Sequence, residues 1–128
     1  MPNKKRMLMD EAGSGAGNDD LVPMTFFNSG AGNDGKRGDG TATSVSSPVQ
    51  IGSEGEWLSA MVGYYSGVGV KSDNTLWTWG AATSGALGNG TITPNKSSPV
   101  QIGSDTDWLR VGEGFSYNYH ACVKTDGT

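Results

Sequence analysis

Leu76-Trp77-Thr78-Trp79-Gly80 is followed by Gly85-Ala86-Leu87-Gly88-Asn89-Gly90-Thr91. The first run alternates at a period of two, which suits a strand, and the second is a loop punctuated by glycine. Worked outward from this stretch, the chain consists of copies. Ser97-Ser98-Pro99-Val100-Gln101-Ile102-Gly103 repeats Ser46-Ser47-Pro48-Val49-Gln50-Ile51-Gly52 letter for letter, 51 residues later, and Trp108 follows Gly103 as Trp57 follows Gly52. Gly114 answers Gly63 at the same offset. After a two-residue insertion, Lys124-Thr125-Asp126-Gly127-Thr128 answers Lys71-Ser72-Asp73-Asn74-Thr75. A degenerate copy lies 50 residues earlier: Phe26-Phe27-Asn28-Ser29-Gly30 falls on Leu76 to Gly80, and Gly35 to Thr41 falls on Gly85 to Thr91. A period near 50 is the signature of a solenoid or a propeller blade.

Four apolar stretches recur within a unit: Val49 to Ile51, Trp57 to Val62, Val68 to Lys71 and Leu76 to Trp79. Four strands per repeat is a propeller blade. The Asp-Asn and Asp-Gly links before Thr75 and Thr128 favour the positive φ angles of tight hairpins. Helical periodicity is absent. The expected fold is all-β, with antiparallel four-stranded blades of a β-propeller. About two units form an incomplete ring after a flexible N-terminal arm. The expected division is an arm at 1–25, a first, degenerate repeat at 26–75, and a second at 76–128, cut before its last strand.

The pattern LWTWGAATSGALGNGT, SSPVQIG, DWLRVGEG and VKTDGT resembles the repeat of the regulator of chromosome condensation family, whose members are seven-bladed propellers. The resemblance covers residues 26–128. In place of the family's Gly-x-x-His the chain reads Gly63-Tyr64-Tyr65-Ser66 and Gly114-Phe115-Ser116-Tyr117, and Ser29 stands where Trp79 stands one copy later. Seven such units need roughly 350 residues, against 128 here. The ring is therefore expected to belong to a longer chain or an assembly, with open sheet edges that make the isolated chain unstable or self-associating.

Composition fits a loop-rich β protein, with 21 glycines and 34% hydrophobic residues. A chain this small buries a low fraction of its surface, so neighbouring blades or a partner must add stability. The net charge of −4 argues against nucleic-acid binding, which needs a basic face. Cys122 is the only cysteine, so no intrachain disulfide forms. The arm opens with Lys4-Lys5-Arg6 and continues into Asp10-Glu11 and Asp19-Asp20, with no apolar run of signal or membrane length. The bland reading is a solvated tail. The functional reading docks the arm on a partner through Met7, Leu8, Met9, Leu21, Val22 and Met24.

Several motifs look chemical and are weighed against bland alternatives. Ser14 to Asp19 recurs as Ser29 to Asp34 and echoes a calcium-binding nonapeptide, but two copies 15 residues apart do not complete a hard-cation shell. Arg37-Gly38-Asp39 spells an adhesion tripeptide, yet it occupies the slot of Leu87-Gly88-Asn89, where glycine serves the turn. His120 and Cys122 face one way on one strand, with no second pair to complete a metal site and no orienting group for a nucleophile. No metal, cofactor or catalytic residue is expected.

Trp57, Trp77, Trp79 and Trp108, with Pro48 and Pro99, recur at fixed repeat positions and are read as structural, the tryptophans packing between blades. Tyr64, Tyr65, Phe115, Tyr117 and Tyr119 fall in the variable segment between the second and third strands. Binding usually resides in such loops on a rigid scaffold. The expected function is a non-catalytic interaction module within a larger assembly of protein subunits. A virion fibre or decoration protein anchored by the arm is the specific case, with a cytoplasmic setting otherwise. Two alternatives are a guanine-nucleotide-exchange and chromatin-docking scaffold, as the family resemblance implies, and a calcium- or glycan-binding surface protein.

Overall fold

A computed structural model describes residues 22–112 and 120–125. Its strands are β1 (Phe26–Gly30), β2 (Val45–Ile51), β3 (Trp57–Val62), β4 (Ser66–Lys71), β5 (Leu76–Gly80), β6 (Lys96–Gln101), β7 (Trp108–Val111) and β8 (Cys122–Lys124). They form three antiparallel sheets: β1-β2, β3-β4-β5-β6 and β7-β8. Among the described residues there is no α-helix, only 3-10 turns at Asn33–Gly35 and Thr83–Gly85.

The duplication read in the sequence is present in three dimensions. Gly30 and Gly80 have φ of 103° and 100°, and Asp34 and Ser84, both non-glycine, have φ of 62° and 59°. Asn28 Nδ2 donates to Arg37 O at 3.3 Å, and one repeat later Thr78 Oγ1 donates to Leu87 O at 2.7 Å. Pro48 and Pro99 lie in β2 and β6, each at a sheet edge, where the missing N–H costs no ladder hydrogen bond.

Sheet boundaries fall elsewhere than the four consecutive stretches suggested. Val49 to Ile51 belongs to β2 and pairs with β1, whereas the complete four-stranded sheet starts at Trp57 and ends at Gln101. A repeat length fixes how often strands recur but not which four hydrogen-bond together. The arm is also shorter than 1–25. Met24 N donates to Trp57 O and Trp57 N to Met24 O, at 2.7 and 3.1 Å, and the second of these bonds recurs one repeat later as Trp108 N donating to Asn74 O at 3.1 Å. Thr25 Oγ1 accepts from Gly55 N at 3.0 Å.

The middle sheet is apolar on both faces because alternate side chains enter two different cores. Trp57 and Trp79 point toward β1-β2 and pack with Ile51 and Phe26. Leu58, Val68, Val70 and Leu76 point toward β7-β8 and pack with Val111 and Trp108. Gly67 and Gly69 make the first core possible, since a Cβ there would stand 2.2 Å from the Trp79 ring and 2.6 Å from the Trp57 ring. A lysine closes each outer tryptophan: Lys71 Nζ lies 3.7 Å from the Trp77 ring centroid and 5.4 Å from that of Trp57, and Lys124 Nζ 5.1 Å from that of Trp108.

Candidate functional site

The β3–β4 link, the turn after β5 and the first 3-10 turn converge at one end of the middle sheet. Gly63 N donates to Ser66 O at 2.7 Å, closing a tight link that carries Tyr64 and Tyr65. Ala81 N donates to Tyr65 O at 3.0 Å. Gly80 is required at this junction: its φ is positive, and a Cβ would meet Tyr65 O at 2.5 Å and Ser66 Cα at 2.7 Å. Asn95 ties the neighbouring loops, accepting from Ala82 N at 3.0 Å and donating to Asp34 at 3.1 Å.

On this framework the Tyr64 and Tyr65 rings meet edge-on with centroids 4.6 Å apart, and Lys36 Nζ lies 5.3 Å from the Tyr64 centroid. Tyr64 is 56% exposed. An exposed aromatic pair is side-chain chemistry that protein interfaces favour over the rest of a surface, and Lys36 holds the Tyr64 ring by a cation–π contact. Sequence gives no signal for Lys36, since it follows β1 of the first sheet whereas Tyr64 belongs to the β3–β4 link of the second.

Other sequence candidates are placed as follows. Val22 and Met24 are exposed, as is Phe27 beside them. Met7, Leu8, Met9 and Leu21 lie outside the described residues, as do Phe115, Tyr117 and Tyr119. Trp57 and Trp79 are fully buried, while Trp77 and Trp108 are half-buried. Arg37-Gly38-Asp39 is turned inward: Arg37 is 1% exposed and paired with Asp39 at 2.5 Å, so the adhesion tripeptide is not displayed. Among the described residues no three His, Cys, Asp or Glu side chains cluster to hold a metal.

His120 Nε2 lies 2.8 Å from Ser66 Oγ, joining the second and third sheets. Ser66 is buried, and His120 Nδ1 is buried without a partner among the described residues. Among the described residues the pair thus has neither an accessible hydroxyl nor a carboxylate to orient the imidazole. Burial holds the His120 imidazole below its ordinary value of 6.5 and pushes the Cys122 thiol up. Because the folded state disfavours the charged imidazole, the unfolded chain binds the proton first, and stability falls as pH drops below 6.5. Urea midpoints at pH 7.5 and 5.5 should show this loss for the wild type and a smaller one for His120→Asn. An equal loss in both would place the acid sensitivity elsewhere.

Residues 73–114 match the family model of the regulator of chromosome condensation (RCC1) repeat. No curated protein sequence matches the chain. Among solved structures, human WBSCR16 is similar at 20% identity over 80% of this chain and 26% of its own, with a TM-score of 0.63. Yeast RCC1 (Prp20), solved with Kap60 bound, is similar at 21% identity over 67% of this chain and 23% of its own, with a TM-score of 0.50. This chain spans about a quarter of the length of these two structures. The matched repeat, the internal copies and the blade-like sheets agree: residues 73–114 carry the repeat of the regulator of chromosome condensation family, and the described residues take a fold similar to that of its β-propellers.

Proposed function

We propose that this chain is a non-catalytic protein-interaction module and a subunit of a larger assembly, presenting the Tyr64–Tyr65–Lys36 edge to a protein partner. The observation that carries this reading is the exposed Tyr64 ring, held by Tyr65 and Lys36 on loops tied by backbone hydrogen bonds. An aromatic anchor fixed before binding loses little conformational entropy on docking. The yeast propeller whose structure was solved with Kap60 bound illustrates a protein partner on this fold. The net charge of −4 weighs against chromatin docking as the activity.

Within this class we place a virion fibre or decoration protein, on the strength of the letter-for-letter repeat and an arm with apolar anchors. Exposed Val22, Met24 and Phe27 extend that apolar character onto the folded part. Because Met24 and Thr25 hydrogen-bond to the first full blade, the arm to delete is 1–21. That deletion should abolish incorporation into the assembly and leave the β-sheet circular dichroism unchanged.

The partner-facing edge is tested by placing a photo-crosslinking amino acid at position 64 in cells that carry the natural gene. A discrete adduct should form from position 64 and not from position 54, where exposed Glu54 sits in the β2–β3 turn at the sheet's opposite end. Equal labelling from both positions, or none from 64, would remove this edge as the contact.

A further inference from the structure

Among the described residues of the middle sheet and its links, Tyr64 and Ile92 are the exposed large apolar side chains. Ile92 is 65% exposed, in the loop between the second 3-10 turn and β6. This loop leaves the same end of the sheet as the β3–β4 link, because Gly80 pairs with Ser66 on one side and with Lys96 on the other. Its base is fixed by Asn95, which accepts from Ala82 N and donates to Asp34. From Gly90 to Ser97 the loop is one residue longer than the first copy from Gly40 to Ser46, and Thr91 to Asn95 are all exposed.

The first copy shows that a following sheet leaves this part of the loop uncovered. Gly40 N donates to Ser97 O of the middle sheet at 2.7 Å, yet Thr41 to Ser44 remain exposed beside it. Ala42 there holds the place of Ile92. Arg37 ties the first loop through Thr41 Oγ1 and Thr43 O, whereas buried Leu87 stands at the equivalent position of the second and cannot make those bonds. The charges at this end also differ from those at the other. Lys71 and Lys124, at the opposite end of their strands, are paired with Glu56 and with Asp105 and Asp107. Lys36 and Lys96 form no ion pair among the described residues, while the Asp34 carboxylate accepts from the Asn33 and Asn95 amides and that of Asp39 is paired with Arg37.

We propose that Ile92 is a second anchor of the contact made by the Tyr64 edge, entering an apolar pocket of the partner protein whose rim carries carboxylates that pair with Lys36 and Lys96. This inference rests on the protein-contact reading of that edge and extends it to a second loop. An aliphatic side chain on a loop tied at its base loses little freedom on docking, and binding energy concentrates in the few side chains that fill a partner's pockets. Charge pairs at the rim steer the encounter and exclude partners of the wrong sign. The two cations without carboxylates give the rim its chemistry.

The test uses the full chain with the photo-crosslinking amino acid at position 64, in cells that carry the natural gene, and reads how the adduct depends on the second loop. Ile92→Asp should lower the yield of the position-64 adduct about 10-fold or more, whereas Ile92→Val and Ala42→Asp should leave it within about twofold. Because Ile92 is exposed, these substitutions leave the sheets intact, which circular dichroism checks. The crosslinker placed at position 92 should capture the same protein, identified by the masses of its peptides. Lys96→Glu should also lower the position-64 adduct, most strongly at low ionic strength. A position-64 adduct undiminished by Ile92→Asp overturns the inference and leaves the Tyr64 edge standing. Absence of that adduct from the otherwise unsubstituted chain removes the edge and this inference with it. Full crosslinking by the Lys96→Glu chain overturns the carboxylate rim.

Discussion

Trp79→Ala is expected to remove about 3–5 kcal/mol of stability, the range for emptying a large aromatic from a core. Small domains hold only about 5–15 kcal/mol in total, so the substitution should abolish the cooperative urea transition or shift it to low denaturant. The size of the effect follows from the geometry. The ring is fully buried and fills the space that Gly38 and Gly67 leave open. Its Nε1 satisfies Lys36 O across the sheet boundary. Alanine leaves a cavity whose floor is backbone, and backbone held in a sheet cannot collapse inward to fill it. Trp77 is the control: half-buried, it covers the outer side beneath Lys71 Nζ and donates to Thr75 Oγ1 at 2.7 Å. Trp77→Ala should cost clearly less. The converse change, Gly67→Ala, puts a Cβ where the ring already stands and should also destabilise. Equal stability of the Trp77 and Trp79 variants would show that the sheets do not depend on this contact.

The sequence made the strands and turns legible where a residue type has one physical use. The repeated SSPVQIG runs became the two edge strands β2 and β6. Glycines at matching offsets, such as Gly38 and Gly88, adopt matching positive φ. The sheet frame was not legible, because the period is the same whichever strand is counted first. Met24 and Thr25 fall outside the copy that begins at Phe26, although they hold the place that Asn74-Thr75 holds one repeat later. The Tyr64–Lys36 contact joins the β3–β4 link to the loop after β1, elements of two different sheets. Periodicity identifies which positions are equivalent, but only the packing of one sheet on another shows which of them meet.

Arg37→Ala should cost about 3–5 kcal/mol, the range for removing one partner of a buried ion pair, and the second repeat indicates how to restore the loss. Arg37 donates through Nε to Thr43 O at 2.9 Å, and through Nη2 to Thr41 Oγ1 at 2.9 Å and to Asp39 at 2.5 Å. Asp39 Oδ1 accepts from Thr41 N at 3.0 Å and from Thr41 Oγ1 at 2.9 Å. Asn89 performs the same turn without a charge, accepting from Thr91 N at 3.1 Å and Oγ1 at 2.9 Å, and the counterpart of Arg37 is the fully buried Leu87. Arg37→Leu alone strands the Asp39 carboxylate, whose side chain is only 9% exposed, and should remain costly. Arg37→Leu with Asp39→Asn converts the site to the chemistry of the second repeat. It should return to within about 1 kcal/mol of the wild type, because replacing a whole buried pair with apolar packing is often neutral or stabilising. Acid provides a second readout. Burial pulls the Asp39 carboxyl upward, but the Thr41 hydrogen bonds and the Arg37 charge outweigh it and hold the group below its ordinary value of 3.8. Asp39 therefore contributes stability above that pH and loses it as pH falls through the lower folded value. The double variant should lack this component of the acid loss. Single and double variants of equal stability would mean that the pair is not coupled, and that the two repeats solve this turn independently.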